Sequence, residues 1–505
     1  MIIFATCIVA GATDKRQFSL LTRPELVSLV YELTGNAKTQ QLIIDQLLAE
    51  NSSLRAQSEV LATRVKELEA RLNKDSHNSS KPPSSDGLSK KPCPKSLRPK
   101  GERPSGGQPG HPGKTLHLSE APTKIIPHPP TGCQSCGHGL DDVAICGNER
   151  RQVFDLPEIT FDIIEHLVQH KRCPDCGQLN RGSFPDDVTQ PVQYGQRIKS
   201  FLVYLTQYQL LPWDRTKQIL SDLCGCAPSE GVLQSALQQC AQTLEPVARK
   251  IKEAVIAAET AHFDETGLRT AGSLHWMHVA SNRNLTHYER HEKRGQAAMD
   301  AIGILPAFLG RAVHDGLASY FAYACRHQLC NAHHLRELIF QIEQDQQGWA
   351  QDMATLLLDI KAQVDTACQL GLTALNPLQK AGFESRYSHI VIAGYASNPE
   401  AIRQGKRGRA AQSKGRNLVK RLDQNRDAVL GFMNDFDAPF DNNLAERDLR
   451  MIKVRQKVSG AFRTTEGADI FARIRSYIST MRKQGHNPLD VLETVFQGRP
   501  RAPVC

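Results

Sequence analysis

Nowhere do eighteen apolar residues stand in a row, so the sequence offers no stretch that would cross a bilayer as a helix. Aromatic residues are scarce, at 6%, and mean hydropathy is −0.40. Apolar residues still reach 40%, enough for real cores, and 505 residues are too many for one ordinary domain. The apolar start, MIIFATCIVAGATDK, lacks the positive residues that precede the hydrophobic stretch of a secretory signal, so secretion is not expected. Four of the fourteen cysteines fall in two Cys-x-x-Cys pairs, which suit metal binding in a reducing compartment better than disulfides. The basic excess is modest, +9, so its placement matters more than its size.

Leu47, Leu54, Leu61 and Leu68 recur every seven residues. With these at d, the a positions are Ile44, Asn51, Ser58, Val65 and Leu72, about four heptads or roughly 40 Å of helix. Asn51 at a is the polar residue expected to fix the register of a two-stranded coil. In a parallel pair Glu50 faces Arg55 of the other chain, and Arg64 faces Glu69, both attractive. Self-association through residues 44–72 is the expectation.

From residue 76 to 130 the chain is dense in Pro, Gly and Ser and cannot bury enough surface to fold. Seven Lys or Arg against one acid, Glu102, lie between Lys90 and Lys114, a charge that suits DNA phosphates. Cys133-x-x-Cys136 and Cys173-x-x-Cys176 follow, each with a glycine behind it. Four thiolates satisfy tetrahedral Zn²⁺ with no open position, so one structural zinc ion is expected, with a strand-like hairpin between the pairs. Cys146 and His138 stand nearby as weaker alternatives. Residues 192–243 read as helices around a Gly-containing turn, with Ser229 as an N-cap, in dimensions that fit a helix-turn-helix.

AHFDETGLRTAG, residues 261–272, reads as a strand ended by Gly267, with Asp264 and Glu265 near its tip. Successive strand residues face opposite sides, so only one of the two points into a given site, and parity leaves open which. SLHWMHVASN and LTHYER look like two more strands, and RAVHDGLASY repeats the pattern of an acid, Asp315, at a strand tip. Cys330-x-x-His333 then leads into a helix. Much further on, Glu446 sits in a helical pattern among Arg447, Arg450, Lys453, Arg455 and Lys457; Arg450, Lys453 and Lys457 share a helix face suited to phosphate.

Asp264-Glu-Thr, Asp315-Gly with Cys330-x-x-His333, and Asp441-Asn-Asn-x-Ala-Glu446-Arg together resemble the catalytic segments of the insertion-sequence-66 family of bacterial DDE transposases. The likeness runs along nearly the whole chain, including SSKPPSSD, GGQPGHPGKT and the four-cysteine segment. It implies a multidomain protein with an α/β ribonuclease-H-like catalytic core. Asp264 and Asp315 would come from its first and fourth strands and Glu446 from a later helix, with Glu265 facing away.

The resemblance further implies Mg²⁺- or Mn²⁺-dependent cleavage and strand transfer on double-stranded DNA, at the ends of the chain's own mobile element and at a target. Two ions would be held by Asp264, Asp315 and Glu446, hard oxygen ligands that suit Mg²⁺. Cys330, His333 and Asn443 would stand behind the acids, the first two near Asp315. Accessory proteins from the same element, a cytoplasmic, nucleoid-associated location and no membrane role are also implied. A non-catalytic DNA-binding regulator and a plain metal-dependent endonuclease are the competing readings.

The expected order is an N-terminal segment (1–40), a leucine-zipper coiled coil (41–75), a basic disordered linker (76–130) and a zinc ribbon (131–190). A helical DNA-binding segment (191–255) precedes the first part of the core (256–337). A helical insertion (338–438), which includes the basic tract RQGKRGRAAQSKGRNLVKR, separates it from the second part (439–484). A tail (485–505) closes the chain.

Overall fold

The computed structural model describes residues 22–74, 78–79, 115–401 and 410–504. The first 21 residues, the basic stretch of the linker up to residue 114, and positions 402–409 of the basic tract lie outside the described residues. The chain divides into two compact units, residues 1–92 and 93–505. No helix among the described residues is long and apolar enough to cross a membrane.

The first unit holds one helix, α1 (Arg23–Leu72), of 50 residues. It starts at Arg23 rather than near residue 41, because the preceding residues supply a helix start. Pro24 needs no amide partner in the first turn, and the Glu25 carboxylate accepts the Thr22 N–H at 2.7 Å. The heptad leucines lie on its surface, Leu47 57% and Leu61 65% exposed. Ile44 and Val65 are exposed beside them. Nothing among the described residues of this unit covers that stripe.

The second unit opens irregularly. Two tight loops hold the cysteine pairs: the Cys133 N–H donates to His138 O and the Cys173 N–H to Gln178 O, each at 2.8 Å. Gly137 and Gly177 take φ of +77° and +73° there, which favours glycine. The hairpin expected between the pairs does not form. Only β1 (His170–Arg172) and β2 (Leu179–Arg181) pair, astride the second cysteine pair. Residues 151–169 run without a sheet partner; Pro157 interrupts them, and Val153 and Ile163 are exposed rather than joined on one buried face.

α2 (Gln196–Val203) runs into a π-helical turn, and α3 (Trp213–Cys224) ends at Gly225, φ +69°. α4 (Glu230–Ile256) begins at Ser229, whose Oγ accepts the Val232 N–H, as the sequence predicts. α3 and α4 flank the Gly225 turn, the spacing that the helix-turn-helix expectation rests on. α4 is 27 residues long, and its apolar stripe from Leu233 to Val255 is buried, much of it against C-terminal helices. That stripe cannot enter a DNA groove.

A five-stranded sheet follows, in the order β5-β4-β3-β6-β7. β3 (Thr260–Thr270), β4 (Ser273–Ser281) and β5 (Thr286–His291) form an antiparallel meander. β6 (Arg311–His314) and β7 (Arg326–Leu329) run parallel to β3. Gly267 does not end the first strand. It pairs with Trp276, and β3 continues to a two-residue turn at Ala271 and Gly272, both with positive φ as such hairpins require. Asp264 is therefore mid-strand. Its setting comes from β6, which stops at His314 while β3 goes on. The register pairs His262 with Val313, so Asp264 and Asp315 emerge side by side where parallel pairing ends. Gly310 permits the close approach, since a Cβ there would lie 2.4 Å from Ala258 O.

α5 (Gln296–Ile302) and Phe308 cover one face of the sheet against Phe263 and Ala280. After β7 come α6 (Asn331–Asp345), α7 (Gly348–Gln369), α8 (Pro377–Ser397) and α9 (Lys414–Gln424). They build the expected helical region around Trp349, Leu356, Tyr387 and Leu422, joined to β7 through Leu329. α10 (Asn443–Ser459) and α11 (Thr465–Lys483) cover the sheet's other face, meeting Leu268, Met277 and Val279. The last segment is no loose tail: Asn487 caps α12 (Pro488–Phe496), which buries Val491, Leu492 and Val495 in the core shared with α4.

Candidate active site

Asp264 lies on β3, Asp315 just past the end of β6, and Glu446 in the first turn of α10. Burial pushes the Asp264 carboxyl well above the usual aspartate range, and the negative charges of Glu265, Asp315 and Glu446 push it further. The three expected acids thus share one electrostatic neighbourhood. Only one hydrogen bond opposes this, from the Glu265 N–H to Asp264 Oδ1 at 2.8 Å. Asp315 is fixed by its own turn: Oδ1 accepts the Leu317 N–H at 2.9 Å, and Gly316 takes φ +90°.

Glu265 does more than face away. Its side chain is fully buried; Oε2 accepts the Tyr320 hydroxyl at 2.6 Å and Oε1 accepts Arg294 Nε at 2.7 Å. Burial still raises its pKa. The same guanidinium reaches Asp315 Oδ2 at 3.9 Å, so Glu265 braces the second acid through Arg294. Behind them, the Gly316 N–H donates to His314 Nδ1, which leaves Nε2–H to donate to His327 Nδ1 at 3.0 Å. Burial holds His314 down to about 3, so it stays neutral and serves as a relay of fixed hydrogen bonds.

Asn442, not Asn443, ties the helix to the strand. Its Nδ2 donates to Phe263 O at 2.8 Å, its Oδ1 accepts His262 Nδ1–H at 2.9 Å, and its backbone N–H donates to Cys330 Sγ at 3.1 Å. One buried amide therefore anchors α10 to the residue before Asp264, four positions ahead of Glu446. Asn443 is exposed, its side chain bonds to Asp441 and its backbone O accepts Arg447 Nε at 3.3 Å, because it has already turned onto the outer face of α10. Cys330 stands beside Asp315 as expected, its N–H donating to His314 O at 3.0 Å, and its side chain and that of His333 also meet Glu446. Cys330 Sγ, a His333 nitrogen and a Glu446 oxygen lie within 4.8 Å of one another, with Arg336 Nη2 3.4 Å from Glu446 Oε1. Burial, with the nearby Arg336 and Arg421, holds His333 down to about 3.

The basic residues of α10 divide. Arg447, Arg450 and Lys457 are exposed. Lys453 instead donates to Gly267 O at 2.6 Å, and Arg455 packs 3.4 Å from the centre of the Phe462 ring, so both are committed inside the protein. The four cysteines are not assembled into one cluster: among the described residues the single group of three or more close metal-binding side chains is Cys330, His333 and Glu446. The amides of Cys136 and Ser135 lower the Cys133 pKa, and those of Cys176 and Asp175 lower that of Cys173.

Sequence reasoning named the three acids and set Glu265 aside as facing away; it did not single out Asn442, Arg294 or Tyr320 and gave Arg336 no role. The Asp-Asn-Asn run ahead of a helical pattern was the signal for Asn442, since such residues cap helix starts. Arg294 and Tyr320 carried no local signal.

Compared with known families, residues 191–470, more than half of the chain, match the model described as Transposase IS66 family. Residues 32–117 match one described as Family of unknown function (DUF6444). No curated protein matches the chain.

Proposed function

We propose, from the premise that the chain belongs to the Transposase IS66 family, that it cuts and joins DNA at the ends of its own insertion sequence. The observation that carries this reading is that Asp264 and Asp315 emerge side by side where β6 ends, with Glu446 near enough that its charge adds to burial and to the charges of Glu265 and Asp315 in raising the Asp264 pKa. Three hard oxygen donors fit Mg²⁺ or Mn²⁺, although Arg294 near Asp315 and Arg336 near Glu446 offset part of their charge. When bound, two such ions would activate the attacking oxygen and stabilise the leaving one. Asp264, Asp315 and Glu446 are the residues that would hold them.

The chain's own residues supply the frame. Glu265 and Arg294 keep Asp315 beside Asp264, and Asn442 keeps Glu446 in reach of both. The strand order, with the first acid on β3 and the second after the fourth strand of the sheet, agrees with the ribonuclease-H-like core that the resemblance implies. Exposed Arg447, Arg450 and Lys457 are placed to meet phosphates. The two cysteine loops would hold one structural Zn²⁺ between them, and backbone amides lower the pKa of Cys133 and of Cys173. The exposed stripe of α1 pairs with that of a second copy.

The test is a Mg²⁺-dependent assay on linear DNA carrying the element's ends, with the element's other proteins supplied, comparing wild type with Glu446→Gln. Nicked and joined products from wild type, with binding alone from the variant, are the expected result. Nicks without joined products mean an endonuclease; an active variant removes Glu446 from the triad.

A further inference from the structure

Cys330 and His333 have no task in the strand-transfer reading, yet their placement is specific. β7 ends at Leu329, Cys330 is the N-cap of α6, and one helical turn brings His333 back beside it. Both then face Glu446, across from the start of α10. His333 Nδ1 is buried and has no hydrogen-bond partner. It stands 3.6 Å from Glu446 Oε1, too far for a hydrogen bond. That distance is close to the roughly 3.4 Å edge between two ligands of a tetrahedral zinc ion at about 2.0–2.2 Å each. Cys330 Sγ already accepts the Asn442 N–H, the kind of outer hydrogen bond that supports a ligating sulfur.

We propose that Cys330, His333 and Glu446 form a binding site for one divalent cation of the zinc class, distinct from the oxygen-donor positions of Asp264 and Asp315 but sharing Glu446. One sulfur, one nitrogen and one oxygen leave a fourth position open to water. Sulfur and imidazole select zinc-like ions, whereas Mg²⁺ takes oxygen ligands. Arg336 competes for the same carboxylate, 3.4 Å away, so cation and guanidinium exclude one another there.

The experiment uses the full chain without DNA or Mg²⁺, loaded with ¹¹³Cd²⁺ as the probe and read by ¹¹³Cd NMR. A four-sulfur site resonates far downfield of a site with one sulfur, so the cysteine loops and this cluster are read separately. The expected spectrum has an upfield signal that is lost in both Cys330→Ser and His333→Gln. Arg336→Gln should tighten the upfield site several-fold in a Cd²⁺ titration, which loss of a packing contact would not do. Circular dichroism reports folding, and His333→Gln, which is the milder change, carries the test if Cys330→Ser does not fold. A wild-type spectrum without the upfield signal, or a signal that survives His333→Gln, overturns the proposal. No turnover is measured, so either result leaves the strand-transfer reading to its own assay.

Discussion

The acid site and the cysteine loops both gather side chains suited to a metal, by opposite means. Asp264, Asp315 and Glu446 come from distant parts of the chain and are held by β3, the end of β6 and α10, through buried partners such as Asn442 and Arg294. Each cysteine pair is held by its own short loop, with Gly137 or Gly177 making the turn, on chain that is largely exposed. The first arrangement exists because the core exists, and it stores electrostatic strain in Asp264. The second is complete within each loop, but its two halves are not gathered into one cluster. A core-built site is therefore sensitive to distant buried contacts, and a loop-built site is sensitive to its metal.

The largest expected break is in chemistry. Glu446→Gln should lower cleavage by on the order of 10³-fold or more, with DNA binding kept, in a single-turnover assay. Next comes the scaffold. Asn442→Ala leaves Phe263 O and His262 unpaired in the interior, so urea unfolding of the core should show a loss of about 2–4 kcal/mol, and cleavage should fall as well. The corresponding change in a loop, Cys173→Ser, should leave the core transition where it is.

A smaller effect has the opposite sign. The folded Asp264 pKa is raised, so its charged form opposes folding. Asp264→Asn should then stabilise the metal-free protein by about 1 kcal/mol at neutral pH and above, while removing activity. That advantage should shrink as pH falls through the folded pKa and vanish below the ordinary aspartate value, where wild type is uncharged too. Saturating Mg²⁺ should also reduce it, by favouring the wild-type carboxylate; an advantage unchanged by Mg²⁺ would argue against an ion at Asp264. The smallest expected effect is that of chelation on the core. Removing zinc should alter the amide exchange of residues 131–190 and leave that of β3 to β7 unchanged.

The elements that sequence reasoning placed well are those whose signal is local. Ser229 as a cap, the β3–β5 meander and the heptads of α1 each follow from residues a few positions apart. Its errors have a common physical source. Gly267 reads as a strand end, yet the pairing of β3 with β4 carries the strand through it. Lys453 and Arg455 read as phosphate contacts, yet Gly267 O and the Phe462 ring were already in reach to take them. Residues 151–169 have strand composition, but no second strand lies beside them.

By itself the sequence determined the family, the cysteine pairs and the repeat of α1, and it named three candidate acids, because each is written in residue type and spacing. Tertiary structure alone decided where the acids meet, which asparagine holds them, and that Cys330 and His333 stand at Glu446. Those depend on where β6 stops relative to β3 and on how α10 docks across the sheet. Both are outcomes of packing between segments far apart in the chain, and no local pattern encodes them.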